Sequence, residues 1–256
     1  MKVEKQMIID AIKTGDDKLL KELVPTKFFF NEEARFENCH NLVFLENIFF
    51  TSQVHFNNCD SLTDVKSINY GNLLTIRNCN NIASINSHHF PSAVYIEDCQ
   101  KLASIEECTF GNDVRLVSND SLNLIKGNSF SGDVVIDDCQ GVLSLERMNF
   151  PRKAMIRDCP SLVSVTRVVF NGSATLENCS ALKILDKVIF KNWANLTDCT
   201  SLTSFRGVAF KDGANLSNCT SLKSLKGATF QGKVSLTNCA DSVIDEAVER
   251  DLDFYL

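Results

Sequence analysis

The stretch ATLENCSALKILDKVIF, residues 174–190, decides the fold, because its pattern recurs every 20 residues without one insertion or deletion. Its cysteine, Cys179, belongs to a column that runs Cys39, Cys59, Cys79, Cys99, Asn119, Cys139, Cys159, Cys179, Cys199, Cys219 and Cys239. Its last residue, Phe190, belongs to a second column in the same register: Phe30, Phe50, Tyr70, Phe90, Phe110, Phe130, Phe150, Phe170, Phe190, Phe210 and Phe230. Self-similarity at a fixed short period marks a solenoid, in which each coil buries its apolar side chains only against its neighbours.

Working outward from that stretch, the columns headed by Ala34 and Phe36 are small-apolar and large-apolar throughout, and they lie two residues apart, the spacing of one strand face. Further apolar columns start at Cys39, Leu42, Leu45, Ile48 and Phe50. The spacing predicts one strand per coil followed by compact turns. Stacked in register at about 4.8 Å per coil, the coils would form a parallel sheet roughly 50 Å long. The expected fold is a mainly β repeat solenoid covering residues 31–240, with a helical cap over 1–30 and an acidic helical cap over 241–256, all one cooperative unit. A pentapeptide-type helix is the rival, along with other parallel β-helices. It needs an inward residue at every fifth position, and the columns contain no run of fives.

The pattern Ala174-x-Leu176-x-x-Cys179-x-x-Leu182-x-x-Leu185-x-x-x-x-Phe190 resembles the cysteine-containing leucine-rich repeats, and its second half is similar to the BspA-like subgroup. Asn119 stands at the one position where that family interchanges Asn with Cys, because an inward polar group there can bond neighbouring backbone. Two features depart from the family: the 20-residue period is at its short limit, and Phe four residues before the strand replaces a leucine three before it. The resemblance implies a parallel sheet whose outward side receives a binding partner.

Both ends read as helices. Met7, Ile8, Ala11 and Ile12 recur at helical spacing, Thr14 to Asp17 turn the chain, and Leu19, Leu20, Leu23 and Val24 continue until Pro25. Ser242 with Asp245 forms a capping-box pattern ahead of Ile244, Val248 and Leu252. Of the net charge of −6, residues 240–256 hold −5, so the solenoid body is nearly neutral. That balance argues against nucleic acid or an anionic membrane as partner through bulk positive charge. No apolar run reaches membrane-spanning length, and the start lacks a signal-peptide core.

Eleven cysteines form an odd count, and parallel stacking suits a disulfide poorly, so buried free thiols in a reducing cytosol are expected, in the producing cell or in a host that receives the protein. A column of Asn and Asp beside the cysteines, Asn38 to Asn238, is expected to close turns by bonding backbone N–H groups. It lacks the carboxylate density of a calcium site, and neither metal nor cofactor is expected.

One irregularity has the residue types of a thiol hydrolase. His88, Cys108 and Asn128 fill successive coils of a column otherwise made of residues such as Ile48, Ile68 and Val168. Imidazole can generate thiolate and an amide can orient the imidazole. The competing reading is a half-exposed column that drifts, in which Cys108 is the first thiol to react. The stronger expectation is non-enzymatic. A monomeric scaffold, acting as adaptor, inhibitor or effector, binds a protein partner through outward residues beside the inward pair: His55, Arg77, Tyr95, Arg115, Met155, Arg157 and Trp193. Aromatic, Met and Arg side chains are those enriched at interface centres. A surface adhesin is the third possibility, disfavoured by the free thiols.

Overall fold

A computed structural model describes residues 2–24, 27–42, 45, 47–65 and 68–256, and shows a parallel β-solenoid of about eleven coils with short helices at its ends. Each typical coil carries three short strands, where one was expected. In the coil quoted above they are Ala174–Glu177, Ile184–Asp186 and Ile189–Phe190. Each pairs with the strand 20 residues on, as in Ala174↔Ala194, Ile184↔Ser204 and Ile189↔Ala209. Among the described residues the strands stack into a 12-stranded long face, a 7-stranded second face, and a third face split into sheets of 3 and 8 strands.

The extra strands escape a period-two reading because they are only two or three residues long. Two corners set them up. Asn178 and Lys187 both take the left-handed conformation, with φ near 55°, and the residues that follow, Cys179 and Val188, turn inward and are fully buried. Asn and Asp tolerate that region better than most residues, which accounts for the Asx column at the first corner. Their side chains bond one another up the stack rather than local N–H groups: Asn178 Nδ2 donates to Asp158 Oδ1 at 2.6 Å, and Asn218 Nδ2 to Asp198 Oδ1 at 2.7 Å. This corrects the turn-closing role expected of them.

The interior is a set of columns. Rings from Phe90 to Phe230 stack with centroids 4.9–5.2 Å apart and planes within 9° of parallel. Ten of the eleven free cysteines are buried, and only Cys239 is partly exposed. The ladder thiols donate to carbonyls, as Cys199 Sγ does to Leu176 O at 2.9 Å and Cys139 Sγ to Leu116 O at 3.7 Å. Burial, the dominant cause for both, pushes Cys99 up to about 12 and Cys139 to about 11.

Two prolines interrupt the third face. Its rule is that the residue after each ring donates its N–H to the ring residue one coil earlier, as Gly111 does to Phe90 O at 2.8 Å and Lys191 to Phe170 O at 2.9 Å. Pro91 and Pro151 have no N–H to give to Tyr70 and Phe130. At Pro91 the sheet is cut between Asn69–Tyr70 and His89–Phe90. At Pro151 the pairing shrinks to Ser129↔Asn149, and Phe130 is left partly exposed while Phe110 and Phe150 are buried.

Helix α1, Lys2–Thr14, and helix α2, Asp17–Leu23, close one end, with Ile8, Ala11, Ile12, Leu20 and Val24 buried. Asp16 caps α2 by accepting the Leu19 N–H at 2.9 Å. Pro25, expected as the helix stop, lies outside the described residues. The cap is shorter than the span 1–30, since Phe28–Phe30 is already a strand paired with Ile48–Phe50. At the other end helix α3, Asp241–Glu249, has Ala240 as its cap without a side-chain bond. The expected capping box is therefore absent: Ser242 lies inside the helix and donates to Lys223 O at 3.2 Å. The buried face is Val243 and Ala247, not the expected one, and Val248 is 64% exposed. Beyond α3 the chain returns as the strand Phe254–Tyr255 and completes the long face against Val234–Ser235.

Candidate functional site

The long face positions the outward residues rigidly, since alternation along each strand buries the Ala34 and Phe36 columns and turns the two intervening columns to solvent. In the first outward column His55, Thr75, Tyr95 and Arg115 are register partners, followed by Val135 and Met155. In the second, Asn57, Arg77 and Glu97 stand side by side.

Glu97 is the centre of this arrangement and was not singled out from the sequence. It is only 9% exposed and sits between two guanidiniums, accepting from Arg77 Nε at 3.0 Å and from Arg115 Nε at 3.1 Å, with Arg77 Nη2 closing a second bond. Hydrogen bonding to Glu97 foremost, and its charge next, raise the pKa of Arg77. A shielded carboxylate is tolerated here because two cations and three charge-assisted bonds offset its desolvation. The signal in the sequence was the juxtaposition of opposite charges one coil apart, which only becomes a contact once the register is known.

His55, Arg77 and Tyr95 line one depression of about 280 Å³, together with Arg35, Thr75 and Glu97. His55 Nε2 is 3.5 Å from Glu33 Oε1 and makes no hydrogen bond. Burial first, and then Arg35, lower the His55 pKa, with Glu33 opposing. Arg115 joins the group through Glu97. The remaining expected residues lie further along the face: Met155 is half-buried on Ala154–Arg157, and Arg157 Nη2 donates to Asp137 Oδ2 at 2.5 Å. Trp193, 39% exposed, precedes Ala194–Asn195 and its ring covers Gly213. The array is thus one depression with an extension, not a single pocket. Toward the far end Asn195 accepts from the Thr197 hydroxyl, Asn215 accepts from the Ser217 hydroxyl, and Ser217 also pairs with Ser235.

In the His88, Cys108 and Asn128 column only His88 is half-buried, the other two are buried, and the three do not form a hydrolase-like relay. Cys108 is 1% exposed, its Sγ donates to Glu106 O at 3.3 Å and Ile85 O at 3.5 Å, and burial raises its pKa. Asn128 is 2% exposed; it accepts the Cys108 N–H at 2.8 Å and donates to Ile105 O at 2.8 Å, so its amide is spent on backbone. His88 meets Phe90 edge-on with ring centroids 4.5 Å apart. The most reachable thiol is Cys239, in place of Cys108.

A second depression of about 430 Å³ opens where Pro91 cuts the third face, lined by Phe29, Phe49, Tyr70, His88, His89 and Pro91 among others. Among the described residues no group of three or more His, Cys, Asp and Glu side chains is arranged to hold a metal ion, and no helix is long and apolar enough to cross a membrane. No family model, curated protein or solved structure matches the chain.

Proposed function

We propose that this protein is a non-enzymatic binding scaffold, and that a protein partner docks on the long face over the depression lined by His55, Arg77 and Tyr95, with Arg115 beside it. The observation that carries this reading is the Arg77–Glu97–Arg115 group. Glu97 fixes both guanidiniums in place, yet Arg77 and Arg115 remain 51% and 45% exposed, with one net positive charge between the three. Their outward N–H groups can take carbonyls or carboxylates of a partner while Tyr95 supplies apolar contact between them. A face built on paired strands has little conformational freedom left to lose on binding.

Kinship with the leucine-rich repeats is part of the same reading, supported by the Cys and Asn interchange at position 119. Three strands per coil is the feature by which this chain differs. The free thiols suit a cytoplasmic, reducing compartment, including that of a host cell.

The test is capture from lysate with the protein as bait, followed by mass spectrometry. A partner retained by the wild type and lost with Tyr95→Ala plus Arg115→Ala, at an unchanged melting temperature, supports the assignment. Undiminished capture by the double variant removes the long face from consideration.

A further inference from the structure

The corner joining the second face to the third carries a row of cations. From residue 87 on, each coil turns there on one left-handed residue: Ser87, Glu107, Gly127, Arg147, Arg167, Lys187, Gly207 and Gly227, with φ of 52°, 53°, 66°, 54°, 55°, 55°, 61° and 84°. Glycine adopts this conformation freely, whereas Cβ crowds the carbonyl in arginine or lysine. Three consecutive coils therefore keep a long cation where glycine would be relaxed.

The position just before the corner adds Lys126, Arg206 and Lys226, against the acids Glu146 and Asp186. Arg147, Arg167, Lys187, Arg206 and Lys226 are exposed. Among the described residues none of these six cations has an ion pair or a side-chain hydrogen bond. Because coils repeat at about 4.8 Å, the row from Lys126 to Lys226 extends about 24 Å in a nearly straight line.

The opposite edge of the second face carries an apolar patch, in a column that holds Asn123 on one side of it and Lys183 on the other. Leu143 and Val163 are 52% and 40% exposed and are stacked one coil apart, with the Val163 N–H bonded to Leu143 O, and Ile184 beside them is 37% exposed. A basic row and an apolar patch thus lie on opposite edges of this face, separated by the width of a three-residue strand, about 10 Å.

We propose that this strip binds an extended acidic polypeptide segment that also carries apolar side chains. Charge complementarity supplies the attraction along the cation row, and the aliphatic patch takes the partner's apolar groups. Among the described residues the strip presents no aromatic ring on which a nucleic-acid base could stack. At its end lies α3, tied to the last coil by Glu246 to the Leu225 N–H and by Arg250 to Leu225 O. That segment's acids would repel an anionic lipid surface. The strip is separate from the long face, and this inference stands without the reading given there.

The experiment measures binding of a fluorescein-labelled peptide alternating glutamate with leucine, beside a glutamate–serine peptide of equal length, single-stranded oligodeoxythymidylate and phosphatidylserine vesicles. The glutamate–leucine peptide should bind best and weaken as salt rises. Arg147→Gly, Arg167→Gly and Lys187→Gly together should reduce its affinity about tenfold, with the melting temperature unchanged or higher. The corresponding Gln variant, which keeps side-chain bulk, should lose binding equally, and Tyr95→Ala with Arg115→Ala should lose none. Retained binding by both triple variants overturns the proposal, as does tighter binding of the oligonucleotide or the vesicles than of the peptide.

Discussion

Asn119 and Asn128 hold the same geometry at two different corners of the coil. Each accepts a backbone N–H from the residue one coil earlier, Cys99 and Cys108, and each donates to a carbonyl 23 residues back, Ile96 and Ile105. Asn119 could be read from the sequence because its column is otherwise all cysteine. Asn128 could not, because its column mixes Ile, His, Cys, Met and Val, and the neighbouring His88 and Cys108 suggested chemistry instead. His55 illustrates what no pattern supplies: its imidazole is shielded by neighbours from adjacent coils. Its ordinary pKa is 6.5, and burial together with Arg35 lowers it in the native state. Below 6.5 the unfolded chain therefore takes up the proton before the folded one does. His55 stabilises the fold above that pH, and the contribution is lost as pH falls through the lowered native value. The melting temperature should accordingly drop on acidification below 6.5, and His55→Gln should flatten that part of the profile. An identical profile in the variant would mean that His55 is as solvated folded as unfolded.

Among the elements, the strand Ala174–Glu177 and its equivalents were legible, because four residues are enough for an in–out alternation to register. The strands of two and three residues were not; their inward positions, such as Leu185 and Phe190, were visible only as apolar columns, with nothing to say that the backbone between them was extended. The prolines show how local chemistry modulates an otherwise uniform stack. Phe170 has the full complement: its ring lies 5.0 Å from both neighbours and its carbonyl accepts the Lys191 N–H. Phe130 has rings at 5.2 and 5.1 Å but Pro151 opposite its carbonyl, and it is partly exposed. Phe170→Ala should cost about 3 to 5 kcal/mol in a denaturation experiment. Phe130→Ala should cost measurably less, and equal losses would refute the account of Pro151.

For the whole molecule, an invariant register means that one coil can be removed without disturbing the rest. Deleting residues 161–180 brings Pro160 against Ala181 and leaves every column in place. We expect that variant to fold with the same circular-dichroism shape and one cooperative melt, because stability in such arrays is a sum over coils and their contacts. Deleting 161–170 alone should abolish folding, since it sets every inward column, rings and thiols included, against outward positions. A folded half-coil deletion would show that the columns do not govern the stack. That the molecule is a solenoid was evident from the period alone, as was the burial of the thiols. Which surface matters was far less evident, because outward residues obey no column rule, and Glu97 acquires its importance only from what stands one coil to either side.

The missing N–H groups at Pro91 and Pro151 also have a mechanical meaning. Tension applied along the axis is shared through the middle of the stack by hydrogen bonds on all three sides of the coil, but at these two junctions the third side holds little or nothing. A rod under load parts at a weak seam, so these two junctions should yield before the stretch between Val169 and Phe210, where all three sides are paired.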